Sequence, residues 1–200
     1  MAGSRSVEFF DTQFRKQIAA GDFALNPFES MVLPYVRGHV LDLGCGLGNL
    51  SLAAARTGAR VVALDASPAA IVRIAEASRA ENLGMTAVLT DIAAYRIAGS
   101  YDTIVAIGLL MFMPCPQALQ LLAEMRAHIA PGGVAIVNVL VEGTTYMEMF
   151  DGAGYCLFGR DELERRFAPW NIELARQQSF DAPGGTKKAF STIVARKPRA

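Results

Sequence analysis

The segment that most limits this chain is VLDLGCGLGNL, residues 40–50, where a solid apolar run opens into glycines at 44, 46 and 48. Glycine has no Cβ, so it tolerates positive φ and lets another backbone or a ligand come close. The sequence resumes as NLSLAAARTG, and the whole reads as a buried strand, a tight loop and a helix. Such a loop aims the free N–H groups of a helix start at whatever lies above them. It also serves as a sharp strand-to-helix connection with no ligand, and on its own the loop leaves both readings open.

The rest of the chain supplies the context. Strand-like HVLDLG, ARVVALD, MTAVLTD, YDTIVAIG and GVAIVNVL alternate with helical patterns over 49–57, 67–82 and 116–129. That rhythm predicts a parallel sheet with helices on both faces. Ser67 is suited to cap the second helix with Pro68 at its first position, and APGG at 130–133 is expected to stop the third. IELARQQSF and KKAFSTIVARK alternate apolar and polar about DAPGGT, which predicts an antiparallel hairpin closing one sheet edge. The fold class expected is α/β: a Rossmann-like, mostly parallel sheet with that hairpin at its C-terminal end.

Composition excludes several classes. Apolar residues make up 52% and charged residues 19% of 200, which suits one domain with a large core. Nineteen basic residues balance nineteen acidic ones, so neither nucleic acid nor an anionic membrane finds an electrostatic footprint. No apolar run is long enough to cross a bilayer and the start lacks a signal-peptide core, so a cytoplasmic protein is expected. Cys45, Cys115 and Cys156 are odd in number and far apart, which argues against a disulfide framework or a zinc cluster; they are expected as small core residues, and no metal site is expected. His39 and His128 stand alone, so no histidine triad is expected.

Ligands in an open parallel sheet sit over the carboxyl ends of the strands, where acidic residues recur here. Asp65 ends the second strand about 20 residues beyond the glycines, the spacing at which a carboxylate meets ribose hydroxyls. Asp91 ends the third strand, placed to accept from an adenine amino group, with Ala66 and Ile92 flanking the ring. A dinucleotide fingerprint places its third glycine at position 49, which is asparagine here.

With Asp42 ahead of it, LDLGCGLGN resembles the first motif of class I S-adenosylmethionine-dependent methyltransferases. VVALD, VLTDI, YDTIVAIGLLMF and APGGVAIVNVL continue the resemblance in order over nearly the whole chain. It implies seven strands with the last antiparallel, S-adenosylmethionine as cofactor and S-adenosylhomocysteine as product. Gly44, Gly46 and Gly48, with Asp42 and Asn49, would line the methionine and ribose moieties. Asp65 would hold the ribose, Ala66, Asp91 and Ile92 would address adenine, and Ile107 and Gly108 would lie beside the methionine portion. Within that family, GLLMFMPCPQALQLLAEMRAHIAPGGVAIVNVL, GRDELERRFAPWNIELARQQ and STIVARKP are most similar to the small bacterial tellurite-resistance-type methyltransferases.

Transfer from a sulfonium is an in-line displacement that positioning alone can drive, so no catalytic cluster is required and none is assigned. The expected activity is methyl transfer to a small-molecule acceptor; the alternatives are a silent S-adenosylmethionine-binding module and a nicotinamide-dependent oxidoreductase. Phe10, Phe14, Met111, Tyr146 and Tyr155 are the candidate acceptor contacts. Residues 1–30 are expected as an N-terminal helical cap on one domain spanning 1–200, either a lid or ordinary packing, in a monomer or homodimer.

Overall fold

The computed structural model describes residues 5–150, 152 and 154–199. Its seven strands are β1 (His39–Leu43), β2 (Arg60–Asp65), β3 (Met85–Leu89), β4 (Tyr101–Ile107), β5 (Ile129–Leu140), β6 (Asn171–Ala182) and β7 (Thr186–Arg196). They form one sheet in the order β3-β2-β1-β4-β5-β7-β6. The pairs among the first five strands are parallel, and β7 runs antiparallel between β5 and β6. The predicted hairpin is thus the last pair of strands. The order reverses between β1 and β4, the crevice where a doubly wound sheet binds ligands.

Helices α1 (Arg5–Ala20), α2 (Pro27–Val32), α3 (Asn49–Arg56), α4 (Pro68–Ala80), α5 (Cys115–His128) and α6 (Glu162–Phe167) surround the sheet. Local chemistry sets their starts. Ser67 Oγ accepts from Ala70 N at the head of α4 with Pro68 at the first position, while Asn26 and Glu29 form a reciprocal capping box on α2. Alternate residues of the central strands enter two cores, one holding Leu41, Ile104, Leu122, Phe158 and Phe167, the other Val40, Ile74, Val105 and Ile136.

Two details differ from the sequence reading. Helix α5 ends at His128, and APGG at 130–133 joins β5 across a register irregularity between Tyr101 and Thr103 of β4. Gly133 permits this, since a Cβ there would lie 2.8 Å from the carbonyl oxygen of Asp102. The cysteine expectation is overturned: Cys115 and Cys156, Cα atoms 4.7 Å apart, form a disulfide, and only Cys45 is free and buried. Forty-one residues separate the pair in sequence, but the start of α5 and the segment after β5 meet above the same end of the sheet. No helix among the described residues is long and apolar enough to cross a membrane.

Candidate active site

A cavity of about 470 Å³ opens over the carboxyl ends of β1, β2, β4 and β5, within the range typical of small-molecule sites. One wall is the glycine loop. Gly44 and Gly46 line it with φ of +66° and +54°, and a Cβ at Gly46 would stand 3.1 Å from Cζ of Phe14. Gly48 is not among the lining residues; a Cβ there would fall 2.6 Å from Cγ1 of Ile74, so it lets α3 and α4 approach each other.

Asp65 closes the loop from β2. Its Oδ2 accepts from Gly46 N and its Oδ1 from Ser67 N, both at 2.8 Å, leaving each oxygen further acceptor capacity. Burial raises its pKa against those hydrogen bonds. Asp42 lies deeper, accepting from Ser51 Oγ at 2.6 Å, and burial pushes its pKa up to about 7. Glu29 joins these two carboxylates on the cavity wall, its pKa likewise raised by burial. Asn49 Nδ2 donates to the carbonyl of Ala24 while its buried Oδ1 has no partner among the described residues. Three carboxylates and an orphaned amide oxygen make this side of the cavity a match for a ligand with positive charge and hydroxyl or amine donors.

The roof is α1. Phe10 and Phe14 line the cavity, and the Phe10 ring meets Phe112 edge-on at 5.0 Å. Asp11 fastens the helix: its Oδ1 accepts from Ser67 Oγ at 2.5 Å, the hydrogen bond that chiefly holds its pKa below the ordinary carboxylate range. The far wall is apolar, with Met111, Phe112, Leu140 and Met149.

The sequence-derived residues divide accordingly. Asp42, Gly44, Gly46, Asn49, Asp65, Ala66, Ile92, Ile107, Gly108, Phe10, Phe14 and Met111 all line the cavity. Asp91 is exposed two residues past the end of β3, its Oδ1 accepting from Ala93 N, and it is not among the lining residues. Tyr155 stacks on Phe150 at 4.9 Å behind the wall, and Tyr146 lies under the ammonium of Lys188 at 4.6 Å. Sequence reasoning missed Phe28, Glu29, Asn138, Lys188 and Phe190, which also line the cavity. Asn138 carried a signal: a lone amide in the apolar run GVAIVNVL, 1% exposed. Among the described residues no cluster of His, Cys, Asp and Glu could hold a metal ion.

Residues 40–133 match the family model described as a methyltransferase domain. The chain is 29% identical over 165 residues to the probable S-adenosyl-L-methionine-dependent methyltransferase TehB of Haemophilus influenzae, across 79% of this chain and 57% of that protein. The crystal structure of TehB from that organism shares the fold, with a TM-score of 0.74 at 24% identity over 87% of this chain and 62% of that one. The methyltransferase-domain match, the sequence likeness to TehB and the shared fold together support a class I S-adenosylmethionine-dependent methyltransferase of the TehB type. It is also 30% identical over 164 residues to a protein named hemagglutinin 1 from Eikenella corrodens, across 79% of this chain and 54% of that protein. The chain thus spans little more than half the length of these curated relatives. The cofactor that goes with the family is S-adenosylmethionine, and the donor set fits it: carboxylates for a doubly cationic methionine portion, and acceptor capacity on Asp65 for hydroxyls.

Proposed function

We propose that this chain transfers a methyl group from S-adenosylmethionine to a small-molecule acceptor by in-line displacement. The observation that carries the reading is a single cavity in which the glycine loop and its flanking carboxylates adjoin an apolar chamber, with Ile107 at the end of β4 and Gly108 just after it on the lining between them. Bound there, the cofactor supplies a sulfonium methyl whose carbon–sulfur bond breaks toward sulfur as the acceptor's lone pair forms the new bond, leaving S-adenosylhomocysteine.

The chain's own residues have the tasks of binding, orienting and excluding water. Asp65 accepts from the ribose hydroxyls, with Gly44 and Gly46 giving the ligand bare backbone to rest on. Ala66 and Ile92 flank the adenine, and Asp91, next to Ile92 in the chain, is the acceptor for its amino group. Phe10 and Phe14 close from above on α1, which Asp11 ties to the head of α4. Closure of that kind orders the acceptor and keeps the site dry. Approximation contributes roughly 7–11 kcal/mol in favourable cases, so a soft or ionised nucleophile requires no dedicated base. A neutral acceptor releases its proton to solvent as the methyl arrives.

The test is a turnover assay for S-adenosylhomocysteine with thiols, amines, phenols and selenium or tellurium oxyanions as acceptors. Methylation of a member of that set supports the reading. Tight S-adenosylhomocysteine binding with no turnover on any member would favour a silent binding module instead.

A further inference from the structure

The acceptor side of the cavity contains two polar groups that the methyl-transfer reading leaves without a task. Lys188 is the one cation among the described lining residues, opposite walls that carry Glu29, Asp42 and Asp65. It is half-buried, its ammonium lies over the Tyr146 ring at 4.6 Å, and it forms none of the ion pairs found among the described residues. Burial lowers its pKa. Asn138 is the second group. Its Nδ2 donates to Thr192 Oγ1 at 2.8 Å, while its Oδ1 is buried without a hydrogen-bond partner among the described residues.

Strand geometry puts both on one wall. Asn138 pairs with Thr192 and Leu140 with Phe190 across β5 and β7, and side chains two apart on a strand share a face. Lys188, Phe190 and Thr192 therefore project on the side of Asn138 and Leu140. The four residue steps of β7 from Lys188 to Thr192 cover roughly 13 Å, a span that the lysine's flexible four-carbon stem shortens toward the length of a small aromatic acid. Between the two polar ends lie Phe28, Phe190, Leu140 and Met149, all on the cavity wall. Asn138 also pairs with Ile107, and its carbonyl accepts from Gly108 N, so it stands where the cofactor and acceptor halves join. An unpaired, partly desolvated ammonium favours an anion, and a buried amide oxygen without a partner favours a hydroxyl or N–H donor.

We infer that the methyl acceptor is a small molecule with an apolar body whose anionic group, a carboxylate or a like oxyanion, is held by Lys188 while its O–H or N–H donor meets Oδ1 of Asn138. The inference rests on the methyl-transfer reading, and calorimetry with S-adenosylhomocysteine tests that foundation first: if the parent protein does not bind it, the underlying reading fails before the acceptor is in question.

With S-adenosylhomocysteine saturating, three probes of one shape then separate the charge classes: 4-hydroxyphenylacetate, its neutral methyl ester, and the cationic tyramine. The expected result is at least tenfold tighter binding of the carboxylate than of either partner. Lys188→Met should abolish that preference, Lys188→Arg should retain it, and both should leave S-adenosylhomocysteine affinity within about twofold. For Asn138, deleting the probe's hydroxyl, as in phenylacetate, should weaken binding fivefold or more in the parent and have no effect in Asn138→Leu. Equal binding of the three probes, preference for tyramine, or no binding by any of them would overturn the inference. So would an anion preference that survives in Lys188→Met, or a tenfold loss of S-adenosylhomocysteine affinity in that variant, which would make the lysine a partner of the cofactor's own carboxylate.

Discussion

Asp42 is buried and Asp65 half-buried, both near strand ends, yet their surroundings prepare them for different work. Asp65 is braced by two backbone N–H groups and keeps acceptor capacity toward the cavity, so Asp65→Ala removes a charge-assisted acceptor. Such a loss is worth about 1.5–3 kcal/mol, and S-adenosylmethionine affinity by calorimetry should fall roughly tenfold to a hundredfold. Unchanged affinity would take Asp65 out of the site. Asp42 instead shapes stability. Its pKa is raised to about 7 by burial, so between about pH 4 and 7 the unfolded chain has given up a proton that the folded protein keeps. Stability contributed by that proton is complete below the unfolded value and is lost as pH rises through 7. Asp42→Asn keeps an acceptor for Ser51 Oγ and removes the titration. Denaturant melts of the variant should therefore show a flatter decline over that window; an unaltered slope would mean that other groups set it.

The glycine loop is the element where a sequence pattern conceals two jobs. Gly48→Ala drives a methyl into Ile74 at 2.6 Å, whereas Gly46→Ala meets only the tip of Phe14 at 3.1 Å, beside the cavity. Both sit at positive φ and both carry strain. Gly48→Ala should show the larger fall in melting temperature, and Gly46→Ala the larger loss of the added stability that S-adenosylhomocysteine confers, which melts with and without ligand separate. The reverse ranking would reassign the two glycines. From sequence, the periodic strands and helices were legible because each follows a simple 2 or 3.6 repeat, and the glycine and aspartate register pointed to one end of the sheet. Lys188 and Phe28 were hidden because they join the cavity through cross-strand pairing and helix docking, which no local pattern records, while Asn138 left a local trace as the lone amide in GVAIVNVL. The disulfide was hidden for the same reason, its halves brought together only by tertiary packing. Asp91 shows a smaller offset: β3 ends at Leu89, two residues sooner than the sequence reading has it, and the Asp91 side chain is not among those lining the cavity.

At the scale of the molecule, the Cys115–Cys156 bond ties the first turn of α5 to the segment that carries Met149, Phe150 and Tyr155. It closes a loop of 41 residues that contains all of β5, so replacing both cysteines by serine should cost about 2–4 kcal/mol in chemical denaturation. Affinity for S-adenosylhomocysteine should change little, because the glycine loop and Asp65 lie on the other wall; a parallel collapse of affinity would show that the two walls are mechanically one.

The reversed direction of β7 divides the cavity along the chain. A parallel strand offers its last residues and the turn beyond to the carboxyl edge, as β1 and β2 do with Asp42 and Asp65, while β7 arrives there at its beginning, with Lys188 and Phe190. The loop wall is therefore written between residues 42 and 92, and the opposite wall between 107 and 190, with α1 and α2 supplying the cover. On the proposed function, changes confined to the hairpin and the leading helices would alter which acceptor is taken while leaving the nucleoside side in place.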